Sequence, residues 1–147
     1  MKFEDVIRLR TATRKFDHTL VEKGKIEKIL EVGRLAPTAK NLQPQKIFVV
    51  SSEEGLIQID KASPCRYNAP LVLMVCSDKS RCFQKDEYST YEMDAVIVAT
   101  HMMLEATNLG VDNVWVEMFD KSILKKEFKL KEDLEPICLL MLGYRSS

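Results

Sequence analysis

Ala36-Pro37-Thr38-Ala39-Lys40-Asn41-Leu42-Gln43-Pro44 lies between a helical pattern and an apolar run, and its reading decides how the rest of the chain is understood. Upstream, apolar residues recur at helical spacing from Glu22 to Leu35, through Ile26, Ile29, Leu30 and Val32. Gly33 and Pro37 stop that helix. Downstream, Ile47-Phe48-Val49-Val50 is short, apolar and β-branched, the pattern of a buried strand. The junction therefore presents neutral amides and a hydroxyl where a helix hands over to a strand. Judged alone it is also an ordinary helix C-terminal turn, where Pro, Thr and Asn are common.

Working outward, Arg10-Thr11-Ala12-Thr13-Arg14-Lys15-Phe16 follows a short helical pattern over Phe3 to Leu9. With Arg8 it supplies four cations, and an arginine fork matches phosphate oxygens as a lysine point charge does not. Isolated, such a cluster reads equally as a solvated helix end. Glu53 to Lys61 gives one further helix and Leu71 to Cys76 a buried strand. Ser77 to Tyr91 is polar and aromatic without a period, a surface excursion whose fold is not legible. From Asp94 to Leu109 apolar residues wrap most of a helix, so it is expected to be buried on nearly all sides. A chain of this size has little interior to surround it, which argues for a second copy covering part of it; coverage by its own chain is the alternative. Val114-Trp115-Val116 reads as a strand, Asp120 as the cap of a helix from Lys121 to about Phe128, and Pro136 as the opening of a last strand, Ile137 to Leu142. About four strands and five helices fit a mixed α+β sandwich better than a βαβ array.

Composition narrows the function. The 147 residues read as one domain, 1–147, and 22 basic residues balance 22 acidic ones, so no broad field attracts nucleic acid or an anionic membrane. No apolar run reaches the length of a membrane span and no signal-peptide pattern is seen, which makes a cytoplasmic protein the expectation. Cys65, Cys76, Cys82 and Cys138 form no Cys-x-x-Cys pair and read as reduced thiols. His18 and His101 have no ligand spacing around them, so no metal site is expected. Neither Gly-x-Gly-x-x-Gly nor Gly-x-x-x-x-Gly-Lys occurs; any phosphate must be held by side chains.

Taken together, the Arg10–Phe16 segment, the Ala36–Pro44 loop and Leu109-Gly110-Val111-Asp112-Asn113-Val114-Trp115-Val116-Glu117-Met118-Phe119-Asp120 resemble, in order, three segments of the nitroreductase family. Gly143-Tyr144 resembles its terminal Gly-Tyr, and agreement is poorest from Glu53 to Glu92. The resemblance implies a mostly antiparallel sheet flanked by helices, with the central helix at a homodimer interface, and FMN bound between subunits. It places Arg10, Thr11 and Ala12 at the phosphate and ribityl oxygens and Arg14 at the pyrimidine end, where a cation stabilises charge on the reduced ring. Ala12 departs from the family's serine and leaves a backbone N–H in place of a hydroxyl. Pro37, Thr38 and Asn41, with Gln43 beside them, would meet the flavin of the other subunit. Trp115 and Val116 would lie near the ring, and the backbone of Glu117 and Met118 would face flavin N5. Alone, Trp115 reads equally as a core aromatic, whereas Glu117, a carboxylate among apolar strand residues, needs partners. Gln45 stands where the family often has Trp. Many members continue past this point with a tail carrying another phosphate-binding residue; here Arg145 is the candidate.

The implied activity is hydride transfer from NADH or NADPH through FMN to an electron-poor small molecule, a nitroaromatic or quinone, in a ping-pong cycle with no side-chain acid or base. The alternatives are a flavin-binding dimer that stores or senses FMN without turnover, and a dimeric scaffold with no cofactor.

Overall fold

A computed structural model describes residues 1–147. Four long strands form one antiparallel sheet in the order β1-β2-β6-β5, where β1 is Gln45–Val50, β2 Leu71–Asp78, β5 Asp112–Val116 and β6 Leu134–Gly143. Both central strands, β2 and β6, are buried along almost their whole length, which explains their unbroken apolar sequence. The register pairs Leu73 with Leu140 and Trp115 with Leu140, so one face of the sheet carries Leu71, Leu73, Val75, Leu140 and Leu142. Helices α2 (Lys23–Leu35) and α4 (Tyr91–Asn108) pack on that face. The alternate residues Val72, Met74, Leu139 and Met141 face α3 (Glu53–Ala62) and α5 (Lys121–Glu127). The result is a three-layer α+β arrangement, with α1 (Phe3–Leu9) lying against α4.

One expectation needs correction, and one unread segment takes shape. Pro136 does not open the last strand: β6 starts at Leu134 and runs through the proline. The register shifts opposite it, between Val75 and Cys76, and this irregularity accommodates a residue with no N–H to give. The unread excursion begins as the end of β2, turns through a small hairpin of β3 (Gln84–Lys85) and β4 (Tyr88–Ser89), and leads straight into α4. As the limited interior of a chain this size implies, α4 is not enclosed all round within one chain. Ala95, Val98, Ala99, Met102 and Ala106 are buried against the sheet, while Met93 and Val96 are exposed. No helix of the protein is long and apolar enough to cross a membrane.

Candidate functional site

The N-terminal segment is drawn to the open edge of β5. Ala12 bridges Asn113 in parallel, and Thr13 N–H donates to the Asn113 carbonyl at 2.9 Å. Phe16 bridges Arg145 from the other side. Arg10, Thr11 and Arg145 consequently share one cavity of about 380 Å³ with Gly110, Val111, Asp112 and Asn113. Gly110 makes this turn possible, since its φ of 77° is one that a side chain resists. Arg145 is held to the mouth by its own N–H on Asp112 Oδ2, at 2.7 Å, and by Nη2 on Thr13 Oγ1, at 3.2 Å. Inside, the Asn113 side chain is 2% exposed. Its Nδ2 donates to Thr107 Oγ1 and the Val111 carbonyl, and its Oδ1 has no partner at all. A buried, unpaired acceptor costs free energy unless something donates to it.

At the far end of β5 the chain leaves the sheet after Val116. Val116 is buried and Trp115 half-buried on the α4 face of the core, so Trp115 is a packing residue as well as a site candidate. Glu117 is not the strand carboxylate that the sequence suggests: it lies beyond the strand, exposed, and accepts from Trp115 Nε1 at 2.7 Å. Desolvation of its carboxylate raises its pKa, opposed by the Trp115 bond. Met118 is exposed at 66%. The N–H groups of Glu117 and Met118 have no acceptor in the protein. Ala12 N–H is likewise unpaired. Behind the turn, Ser63 Oγ donates to the Met118 carbonyl at 2.7 Å, and Cys65 Sγ lies 4.0 Å from Met118 Sδ. The Tyr67 hydroxyl neighbours Cys65 and Arg14; Cys65, then burial, pushes the phenol pKa up, and Arg14 opposes this. Arg14 and Met118 thus both lie near a loop that carried no sequence signature. Tyr67 and Asn68 in that loop both adopt left-handed φ, 55° and 65°.

The Pro37–Gln43 loop lies elsewhere. Lys40, Asn41 and Gln43 all have positive φ, 53°, 55° and 52°, a concentration of strain that no plain helix end requires. Gln43 holds it, taking Thr38 Oγ1 with both its backbone N–H and its Nε2, and reaching Asn41 Oδ1 at 2.6 Å. Gln45 Nε2 donates to Gln43 Oε1 at 2.7 Å, so the residue that departs from the expected Trp braces the loop by hydrogen bonding. Pro37 is exposed. Asp94, 1% exposed in the first turn of α4, accepts from Ala39 N–H and Thr90 Oγ1. Lys40 stacks its ammonium 5.2 Å from the Phe83 ring of the excursion.

Two halves of the predicted site are therefore well formed but apart. The loop is tied to Asp94 at the start of α4, and the Arg10 cavity to Thr107 at its end. At ~1.5 Å per residue that separation is roughly 20 Å. The sequence reading missed Thr13, Ser63, Cys65, Tyr67, Asp94 and Asn113. Asn113 and Asp94 had one available signal, a polar residue at an apolar-phase position of a strand or helix.

Comparison with known proteins bears on the family and the fold. The model of the nitroreductase family matches residues 7–65 and 63–144. A nitroreductase family protein from Clostridium difficile 630 has a solved structure that superposes with a TM-score of 0.97 at 41% identity, over 100% of this chain and 86% of that one. An FMN-dependent nitroreductase from Clostridium difficile R20291 gives a TM-score of 0.83 at 27% identity, over 97% of this chain and 87% of its own. A protein of Archaeoglobus fulgidus with the provisional name NADH dehydrogenase/NAD(P)H nitroreductase is 27% identical over 95% of this chain and 83% of its own length. The chain belongs to the nitroreductase family and has its α+β fold.

Proposed function

We propose that the protein is an FMN-dependent oxidoreductase that draws electrons from NADH or NADPH and passes them to an electron-poor small molecule such as a nitroaromatic or quinone, working as a homodimer. The observation that carries the reading is the cavity of about 380 Å³ that Arg10, Thr11 and Arg145 share with Gly110 and Asn113, with two guanidinium groups at one open site. Two guanidinium groups suit phosphate oxygens, and the Thr11 hydroxyl beside them suits the hydroxyls of a polyol ester, which is the chemistry of the ribityl phosphate of FMN. The relatives' printed names, one FMN-dependent and one NAD(P)H, support the same assignment.

In this reading Arg10, Thr11 and Arg145 hold the phosphate, with the free Ala12 N–H replacing the missing hydroxyl. Arg14 places a cation at the pyrimidine end. The unpaired N–H groups of Glu117 and Met118 face the ring, Val116 and Trp115 support it, and Pro37, Thr38, Asn41 and Gln43 close the site from the other subunit. FMN supplies the two-electron chemistry when bound. The chain's own contribution is to bind, orient and shield; no side chain is required as acid or base.

The test is the visible absorption of protein loaded with FMN and desalted, before and after anaerobic NADH or NADPH. A retained band that bleaches is the expected result. A retained band that persists with both donors identifies a flavin-binding module without turnover, and no retained band overturns the flavin reading. Arg10→Ala is expected to weaken FMN binding by about tenfold or more, the loss of one charge-assisted hydrogen-bonding group. Equal flavin content in variant and parent would remove the phosphate from this cavity.

A further inference from the structure

One of the two free donors at the end of β5, Met118 N–H, is aimed from behind. Ser63 follows α3, is 3% exposed, and donates from Oγ to the Met118 carbonyl at 2.7 Å. That carbonyl shares one planar peptide unit with Phe119 N–H, which in turn donates to the Glu117 carbonyl at 3.0 Å. The Glu117 carbonyl shares its unit with Met118 N–H. Fixing the first carbonyl therefore fixes the second plane, and leaves Met118 N–H turned the opposite way with no acceptor in the protein. Ser63 Oγ is itself held by Cys65 N–H at 3.1 Å, so the hydroxyl proton has one direction left to point.

We propose that Ser63 is a positioning residue of the redox site: through two planar peptide units its hydroxyl aims the Met118 N–H at the bound ring. The inference rests on the flavin reading above and extends it to a residue outside the three motifs that carried the resemblance. The turn does not depend on Ser63 for attachment, because Asp120 N–H also donates to the Ala62 carbonyl at 2.9 Å. Ser63→Ala is thus expected to fold, with the turn present but its peptide planes released. The backbone of Ser63 is extended, φ −147° and ψ 135°, which suits a β-branched residue, so Ser63→Thr keeps the hydroxyl without backbone strain.

Two measurements test this. In FMN-free protein, amide exchange at Phe119 is expected to speed up by about tenfold in Ser63→Ala and to return to the parent rate in Ser63→Thr. In FMN-loaded protein, Ser63→Ala is expected to keep its flavin, show a shifted visible band, and bleach with NADH or NADPH about tenfold more slowly, since a donor held off its aim loses much of its effect. Ser63→Thr restores band and rate. Parent-like spectrum and rate in Ser63→Ala overturn the role of Ser63 alone, as does a loss that Thr fails to restore, which marks packing instead of the hydroxyl. A parent protein that holds no FMN overturns the flavin reading and the role with it.

Discussion

Asn113 joins three parts of the molecule with one side chain and one carbonyl. Its Nδ2 secures the last turn of α4 at Thr107 and the glycine turn at Val111, while its backbone carbonyl receives Thr13. Truncation to Ala leaves Thr107 Oγ1 and the Val111 carbonyl short of a donor, and we expect a loss of about 1–3 kcal/mol in denaturant unfolding. The same variant loosens Thr107 and Val111, which line the Arg10 cavity, so FMN affinity should fall as well; unchanged affinity would show that this cavity does not hold the cofactor. Glu22 sets a different residue-scale dependence. The hydrogen bond from Tyr144, then that from Lys25, lowers its pKa from 4.5 to about 2. A carboxylate depressed in the fold contributes stability above its ordinary pKa and loses it as pH falls through the folded value. The tie between α2 and the residues after β6 should thus weaken between pH 4.5 and about 2. Glu22→Gln is expected to flatten the fall in melting temperature across that window, and a slope equal to the parent's would show that the tie contributes nothing measurable.

At the scale of elements, α4 is the member that registers both halves of the site. Its first turn holds the strained loop through Asp94, and its last turn holds the Arg10 cavity through Thr107. Asp94→Ala removes a buried acceptor from Ala39 N–H and from Thr90, and should cost about 2–3 kcal/mol, the range for hydrogen bonds to a charged group. Positive φ at Lys40, Asn41 and Gln43 then lacks its brace, so limited proteolysis should cut the 37–43 loop faster in the variant than in the parent. Equal cleavage would mean that Gln43 alone holds the loop. The helices and strands that carry these groups were legible because apolar spacing reports burial directly: α1, α2, α3 and β2 follow their predicted spans closely. Pro136 misled because a lone proline marks an edge or a start unless a bulge beside it absorbs the missing N–H, and here Ile137 is the extra residue, between Pro136 opposite Cys76 and Cys138 opposite Val75. Ser63 and Thr13 were not legible at all. A small hydroxyl residue has no local pattern, and its role depends on which carbonyl or guanidinium the fold brings within 3 Å or so.

For the whole molecule, the separation along α4 is the feature that the proposed homodimer explains. Within one chain the loop of Pro37 to Gln43 and the cavity of Arg10 and Arg145 lie at opposite ends of that helix, while the sheet puts β1 and β5 on opposite edges, about 14 Å apart at the usual strand spacing. In the homodimer proposed above, a second copy running antiparallel along α4 would bring the start of one helix to the end of the other and so pair each loop with the partner's cavity. The surface for that contact is apolar: Phe3 and Ile7 of α1 and Met93 and Val96 of α4 are exposed, and Phe3, Val6, Val32 and Leu104 line a groove of about 500 Å³ beside them. Val96→Glu places a charge in the middle of that surface while burying nothing in the isolated chain. We expect it to keep its circular dichroism, sediment as a monomer where the parent sediments as a dimer, and lose FMN on desalting although Arg10, Asn113 and the Glu117–Met118 turn are untouched. A monomeric variant that retains FMN as the parent does would place the whole site within one chain, and the strained loop at the start of α4 would then need another explanation.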